Sequence, residues 1–421
     1  MTRSARRLGI PALLVVLALL AGCTSRVEEP SAKPSDAGVS ASSADTAKAD
    51  RRDAVRVMKA REKALRSGNR EAWLATVSPS ATTFRTTQAR YFDNLAKLPV
   101  THISFHVGDM DRLMQISSEG DYQLPVNFTM QLQGYDAHPV TIPLIYTFKR
   151  RGGRLQLVND RNPQNDVAWK PAPWDVTSIE VRRTEGLLGI FDKTTVTDAD
   201  EVMSQLQAAL DVITPLVPPW RDKVVVYDIS DLKSMDQMSL MELNNTAGIQ
   251  FDVPTRPGSD QVASSRFAVN PTNTDDSTRS LVFRHELVHV ALGDLDESSP
   301  TWLVEGAAES IARSVYTVDS LQAQARLVLS NTKARPLATG RDFYQVRPNQ
   351  NYELGALVCT YLINTRGRDI LWNLMRAFVQ ADKHRDLVVK GDVDTVTKRV
   401  LGVTTKQLAA DALDWASVPH T

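Results

Sequence analysis

One run of this 421-residue chain restricts its fold more than any other: Leu281 to Leu292, with His285-Glu286-Leu287-Val288-His289 at its centre. Leu281, Phe283, Val288, Val290 and Ala291 surround the two histidines, and a helix that is apolar on nearly every side must be buried. The imidazoles are four residues apart, so they share one face, with Glu286 one position along. Polar groups taken out of water need partners. A core that accepts this helix must therefore be built around a polar site. Gly293 ends the run in the manner of a left-handed cap.

Two histidines at i and i+4 on a buried helix form a donor pair for one zinc ion, and the intervening glutamate is placed to act as a base. A third ligand is needed. Asp296 follows His289 by seven residues and Gly293 by four. Both are one residue out of register with a His-Glu-x-x-His-x-x-Gly-x-x-His/Asp pattern. Glu305 is better placed, because Ser299-Pro300 reads as an N-cap and first helical residue, which puts Glu305 on the second turn of a new helix. Glu309 lies one turn further on the same face. It suits either a hydrogen bond that fixes the tautomer of a ligand histidine or a place facing solvent.

The rest of the chain limits the setting. Its length allows two cores, and 49 basic residues balance 49 acidic ones, so no global field selects nucleic acid or an anionic membrane. Arg3, Arg6 and Arg7 precede an apolar run from Leu8 to Leu20, then Leu20-Ala21-Gly22-Cys23. A charged start, a short apolar stretch and small residues describe a secretory signal, too short to span a bilayer. The segment, residues 1–23, resembles a bacterial lipoprotein signal, which implies cleavage before Cys23, lipid on it, and a protein held on the extracytoplasmic face of a cell membrane. Cys359 is then the single thiol left, expected as a buried small hydrophobe in Ala356-Leu357-Val358-Cys359.

Residues 24–50 are Ser, Ala, Asp, Lys and Pro with almost no large apolar side chain, the composition of a flexible tether. Residues 51–170 start with helical patterns (Val55, Met58, Leu65; Ala72-Trp73-Leu74; Tyr91 to Leu95) and continue with alternating runs around Ile103–Val107, Leu124–Met130, Ile142–Phe148 and Leu155–Leu157. Helices followed by four antiparallel strands predict an α+β unit, a curved sheet wrapped on helices. This order is similar to the nuclear-transport-factor-like, cone-shaped superfamily, which hosts enzymes and binding modules alike. His102, His106 and His138 fall here as structural histidines, with no ligand spacing. Lys170-Pro171-Ala172-Pro173-Trp174 reads as a hinge between units. From 175 to 421 a sheet-rich half precedes a helical half. Phe267-Ala268-Val269-Asn270 is either an internal strand or a sheet edge able to pair with an extended peptide.

Three motifs of this second part carry a resemblance. They are His285-Glu286-Leu287-Val288-His289, Trp302-Leu303-Val304-Glu305-Gly306-Ala307-Ala308-Glu309, and Asn351-Tyr352-Glu353-Leu354-Gly355. Together the region resembles the gluzincin clan of zinc metallopeptidases, specifically Peptidase MA-like families that share features with aminopeptidase N and the leukotriene-forming epoxide hydrolase. The resemblance implies Zn2+ held by His285, His289 and Glu305, Glu286 as general base, and Tyr352 as donor to an oxyanion. It also implies a peptide or protein substrate. The Gly-x-Met-Glu-Asn-like element that captures a free amino terminus is missing, which points away from a general aminopeptidase. Two other readings stand beside it: a lipid-tethered binding protein with a structural or vestigial zinc site, and a hydrolase of a bond other than the peptide.

Overall fold

The computed structural model describes residues 40–107, 114–115, 121–160, 171–231, 233–234, 238, 246–274, 276–383 and 392–418. The signal segment, Cys23 and most of the expected tether lie outside them. Helix α1 runs over Ser40–Arg66, so the last eleven residues of the stretch expected as tether are helical. Ala41, Ala44, Ala47 and Ala49 give that stretch a helix propensity that its lack of large apolar residues obscures. No helix of the described residues is long and apolar enough to cross a membrane.

Helices α2 (Arg70–Ala75) and α3 (Thr82–Leu95) come next, then strands β1 (Val100–Val107), β2 (Met114–Gln115), β3 (Asp121–Leu132), β4 (Val140–Arg151) and β5 (Arg154–Asn159). They form a curled antiparallel sheet in the order β1-β3-β4-β5, with β2 on β3. Alternation sets its inner face: Leu124, Val126, Phe128 and Met130 are buried, with Tyr146, Phe148, Leu155 and Leu157 beside them, against Met58, Trp73 and Phe92 of the helices. The fully buried Arg61 lays its guanidinium 3.5 Å over the Trp73 ring and donates to Thr76 and Gln88.

The proline-rich stretch is a short helix, α4 (Pro173–Val176), with Trp174 buried. A second five-stranded sheet then forms from β6 (Glu180–Arg183), β7 (Leu187–Phe191), β8 (Val224–Asp228), β9 (Gly248–Pro254) and β10 (Val262–Val269), in the order β6-β7-β8-β10-β9. The pairs β7/β8 and β8/β10 are parallel, and both edge pairs are antiparallel. Strands β7 and β8 are buried at every position, as strands covered on both faces are. Leu187, Phe191, Val224, Val226, Phe267 and Val269 join a core with helices α5 (Ala199–Ile213) and α6 (Asp276–Leu292). Leu188, Ile190, Val225, Tyr227 and Ala268 point the other way, into the same core as the amino-terminal sheet.

The second sheet is thus a middle layer, and the amino-terminal unit is packed on its back. Arg266 is 4% exposed; it pairs with Asp136 at 3.0 Å and donates to the Tyr227 hydroxyl at 2.7 Å. Backbone bonds Ala137 N–H to Ala263 O (2.7 Å) and Thr141 N–H to Thr255 O (2.8 Å) cross the same seam.

Beyond α6 the described chain is helical: α7 (Asp294–Ser298), α8 (Thr301–Ala312), α9 (Val318–Val328), α10 (Arg341–Gln345), α11 (Pro348–Arg366), α12 (Asp369–Lys383), α13 (Asp392–Leu401) and α14 (Thr405–Ser417). Pro300, rather than Ser299, is the N-cap of α8, which still leaves Glu305 on its second turn. Strand β10, which contains Phe267 to Val269, lies between β8 and β9. The edge is therefore β9. Cys359 is a free, buried thiol.

Candidate metal centre

Helix α6 packs its apolar residues against β10, β9, α5 and α8, and Phe283 meets Phe267 with ring centroids 5.9 Å apart. This seats His285 and His289 on the face towards α8. Helix α8 in turn lies against α11, and the glycines of two motifs explain how closely. A Cβ on Gly306 would come within 2.5 Å of the Gly355 carbonyl oxygen, and one on Gly355 within 3.0 Å of the Trp302 carbonyl oxygen. The two backbones touch at this crossing, and side chains there would force them apart. Gly306 follows Glu305 and Gly355 follows Tyr352 by three residues, so the contact brings Tyr352 near Glu305. Arg284 donates to the Ala312 carbonyl at 2.6 Å, satisfying an end carbonyl of α8.

His285, His289 and Glu305 converge, and they could hold a metal ion. His285 Nε2 lies 3.1 Å from His289 Nε2, and Glu305 Oε2 is 3.3 Å from the former and 3.5 Å from the latter. The other ring nitrogens face carboxylates: His289 Nδ1 is 3.1 Å from Asp296 Oδ1, and His285 Nδ1 is 3.3 Å from Glu309 Oε1. Ionised carboxylates only accept, so His289 Nδ1 carries a proton towards Asp296. His285 lies between two carboxylates, and its Nδ1 makes no hydrogen bond. A cation seated among Glu305 and the two Nε2 atoms requires each Nε2 to present its lone pair. Three electron-rich atoms then crowd one point, an arrangement that repels itself unless a cation or proton lies between them. Their separations match the roughly 3.3 Å between neighbouring ligands set at about 2.0–2.1 Å around a tetrahedral ion. On this geometry and donor chemistry the residues fit a divalent metal.

The electrostatics agree. Burial alone would lower the His285 pKa, but hydrogen bonding and charge from Glu305 and Glu309 outweigh it and hold it well above the usual imidazole value. A site without metal therefore takes up a proton there. Burial would raise Glu309, yet His285 and Arg313 keep its carboxyl below the ordinary range. Arg313 bridges Glu309 at 2.8 Å and Glu353 at 2.9 Å, so α8 and α11 are also tied by charge. Glu309 is thus a partner of His285 rather than a solvent-facing residue. Asp296, out of register as a ligand, stands behind His289.

Glu286 is half-buried and makes no hydrogen bond or ion pair among the described residues. Gly248, the first residue of edge strand β9, lies against it: a Cβ there would meet Glu286 Cγ at 2.9 Å. Tyr352 sits with its ring centroid 6.5 Å from that of His285 and 4.9 Å from that of Phe343. Burial, then the nearby Glu305, Tyr344, Glu286 and Glu309, push its pKa up, so its hydroxyl remains a proton donor.

One residue escaped the sequence. Tyr344, on the short helix α10, donates to Glu305 Oε1 at 2.8 Å, the oxygen that does not face the histidines. The fully buried Phe343 anchors that helix. Asn351 donates to the Phe343 and Val346 carbonyls at 2.7 and 2.8 Å, and Gly340 N–H donates to Thr301 Oγ1 at the start of α8.

No family model matches the chain, and no curated protein does.

Proposed function

We propose that this protein is an extracytoplasmic zinc metallopeptidase, anchored through lipid on Cys23, with a gluzincin-type arrangement of its second part. The observation that carries the reading is the triangle of His285 Nε2, His289 Nε2 and Glu305 Oε2, with a carboxylate, Glu286, that has no partner among the described residues on the same helix as the two histidines. Zinc bound there would supply Lewis acidity, lowering the pKa of water and polarising a carbonyl.

The chain's own residues do the rest. Glu286 accepts a proton from water and returns it to the departing amine. Tyr352, kept protonated by its surroundings, donates to the oxyanion that develops on the scissile carbonyl. Edge strand β9 runs beside Glu286, where an extended peptide can pair, and Gly248 leaves room for the Glu286 side chain. Asp296 holds the His289 imidazole in the tautomer that directs Nε2 inward, and the Glu309 carboxylate, 3.3 Å from His285 Nδ1, favours the same tautomer there once a metal occupies Nε2. A purely structural or vestigial site has no use for an unpaired carboxylate at the position of Glu286, and this favours the enzyme over the binding protein.

The test is a peptide-library digest with zinc-loaded protein, with and without a chelator, beside Glu286→Gln. Cleavage that the chelator stops, and that Glu286→Gln loses while keeping its zinc, is the expected result. Full cleavage by a zinc-loaded Glu286→Gln refutes the assigned base; a zinc-loaded wild type that cleaves no peptide refutes the peptidase. Mass spectrometry of the mature amino terminus tests the anchor, and an unmodified Cys23 would remove it.

A further inference from the structure

Two carboxylates from different helices meet at one cation beside the metal centre. Glu309 of α8 and Glu353 of α11 have side chains 15% and 7% exposed, and the Arg313 guanidinium lies between them. Its Nη2 reaches Glu309 Oε2 at 2.8 Å, and its Nη1 donates to Glu353 Oε2 at 2.9 Å. Among the described residues no other lysine or arginine pairs with either carboxylate. Arg313 is the C-cap of α8, and its backbone N–H donates to the Glu309 carbonyl at 3.0 Å, so one helical turn fixes both residues. Each carboxylate leads on to the site. Glu309 Oε1 lies 3.3 Å from His285 Nδ1, and Glu353 directly follows Tyr352. Apolar burial holds α8 and α11 together but is non-directional, and their crossing at Gly306 and Gly355 has no interlocking side chains. Directional ties must fix how α11 is turned. One is the neutral Ser310–Thr360 hydroxyl pair at 3.0 Å. The stronger is Arg313 to Glu353, because charge-assisted hydrogen bonds are roughly twice as strong as neutral ones.

We infer that Arg313 is a positioning residue that locks the metal side of the site to the Tyr352 side. Through Glu309 it keeps a carboxylate against the outer nitrogen of His285. Through Glu353 it holds the turn of α11 that carries Tyr352. An arginine suits the place because its planar fork presents separate N–H groups to two acceptors, where an ammonium is a single point of charge. Charge alone assigns the opposite effect. A cation near a divalent metal repels it, so an Arg313 that served only as a charge would weaken metal binding. As a positioning residue it strengthens binding, by holding Glu309 against a ligand. The two roles differ in sign, which makes them separable. The Tyr352 half rests on the proposed reaction, whereas the His285 half needs only the metal centre.

Zinc affinity is measured by competition with a chromogenic chelator at fixed pH for the parent, Arg313→Met, Glu309→Gln and the double variant. Arg313→Met should bind zinc about tenfold more weakly, the lower end of what loss of an outer partner costs. Glu309→Gln should lose at least as much. The double variant should be no weaker than Glu309→Gln, because Arg313 acts through that carboxylate. Arg313→Lys should recover part of the loss, and it carries the same test should Arg313→Met fail to fold. For the other half, amide hydrogen exchange is followed over residues 351–358 of α11 in the zinc-loaded protein. Arg313→Met and Glu353→Met should each speed it about tenfold, with exchange in β8 unchanged. On a cleaved peptide, Glu353→Met should lower kcat and leave KM and zinc content unchanged, since Tyr352 acts on the transition state. Unchanged or tighter zinc binding by Arg313→Met would overturn the inference. So would a loss that adds in full to that of Glu309→Gln, or unchanged exchange in α11. A zinc-loaded parent that cleaves no peptide refutes the peptidase and leaves the affinity and exchange tests intact.

Discussion

Tyr344→Phe removes one oxygen and leaves the ring in place. In the parent the hydroxyl donates to Glu305 Oε1 at 2.8 Å, while Oε2 faces both histidines. Glu305 is 3% exposed, so no bulk water replaces the lost donor. A hydrogen bond to a charged acceptor contributes about 1.5–3 kcal/mol, and removing an outer partner of a metal ligand typically costs about 10- to 100-fold in affinity. The two figures agree, and zinc affinity should fall by that factor. The freed Oε1 can also turn inward, so a carboxylate constrained to one oxygen becomes able to use two. Competition against a chromogenic chelator at fixed pH gives the affinity, and the visible spectrum of the cobalt-substituted protein reports any change in coordination number. Phe343 and Asn351 still anchor α10, so the metal-free protein should stay folded with a lowered thermal midpoint, and the zinc-loaded form should lose more. An unchanged affinity together with an unchanged cobalt spectrum would refute the reasoning, because it would mean that Glu305 is positioned by its helix alone.

The metal-free and zinc-loaded forms should respond oppositely to pH. In the metal-free chain the His285 pKa is raised by Glu305 and Glu309 despite burial, so its stabilisation is complete below the unfolded value near 6.5 and is lost as pH rises through the folded value. Zinc competes with the same proton, so the loaded protein should gain stability and affinity over that same rise; melting curves of both forms across this range check the sign, and parallel curves would contradict it. Asp136→Asn should destabilise the whole protein by about 3–5 kcal/mol, because it leaves Arg266 charged and buried without its partner. A single cooperative transition in denaturant, shifted for both units together, is the expected measurement, and loss of the amino-terminal unit alone would show that the shared core does not couple them.

Much of the site was legible in the sequence because its information is local. His285 and His289 share a face by helical spacing alone, the buried character of their helix comes from its neighbours, and Glu305 and Glu309 sit one turn apart on α8. Burial of Cys359 was readable from the apolar run around it. Strand β9 could also have been read, since Ile249, Phe251 and Val253 alternate with Gln250 and Asp252, but its short run lies in a polar stretch and gives no sign of being the edge. Tyr344 gave no signal. Its contact spans 39 residues and depends on a five-residue helix that no periodicity marks. The roles of Gly306 and Gly355 likewise exist only where two helices cross, because a glycine's missing side chain matters only to what lies against it.

The units on either side of Pro171 show the same division most plainly. Composition and alternation read as a helix-and-sheet unit followed by a sheet and then helices. Leu187 to Phe191 reads from the sequence as a hairpin-like apolar run, and only the structure shows it as a strand buried at every position. What covers each face is a property of packing, not of the strand. Leu188 and Ile190 need an apolar neighbour, and the amino-terminal sheet supplies it, fixed in place by Arg266 and Asp136, 130 residues apart. Periodicity along a chain determines which side chains must leave water; only the assembled layers determine which partners receive them.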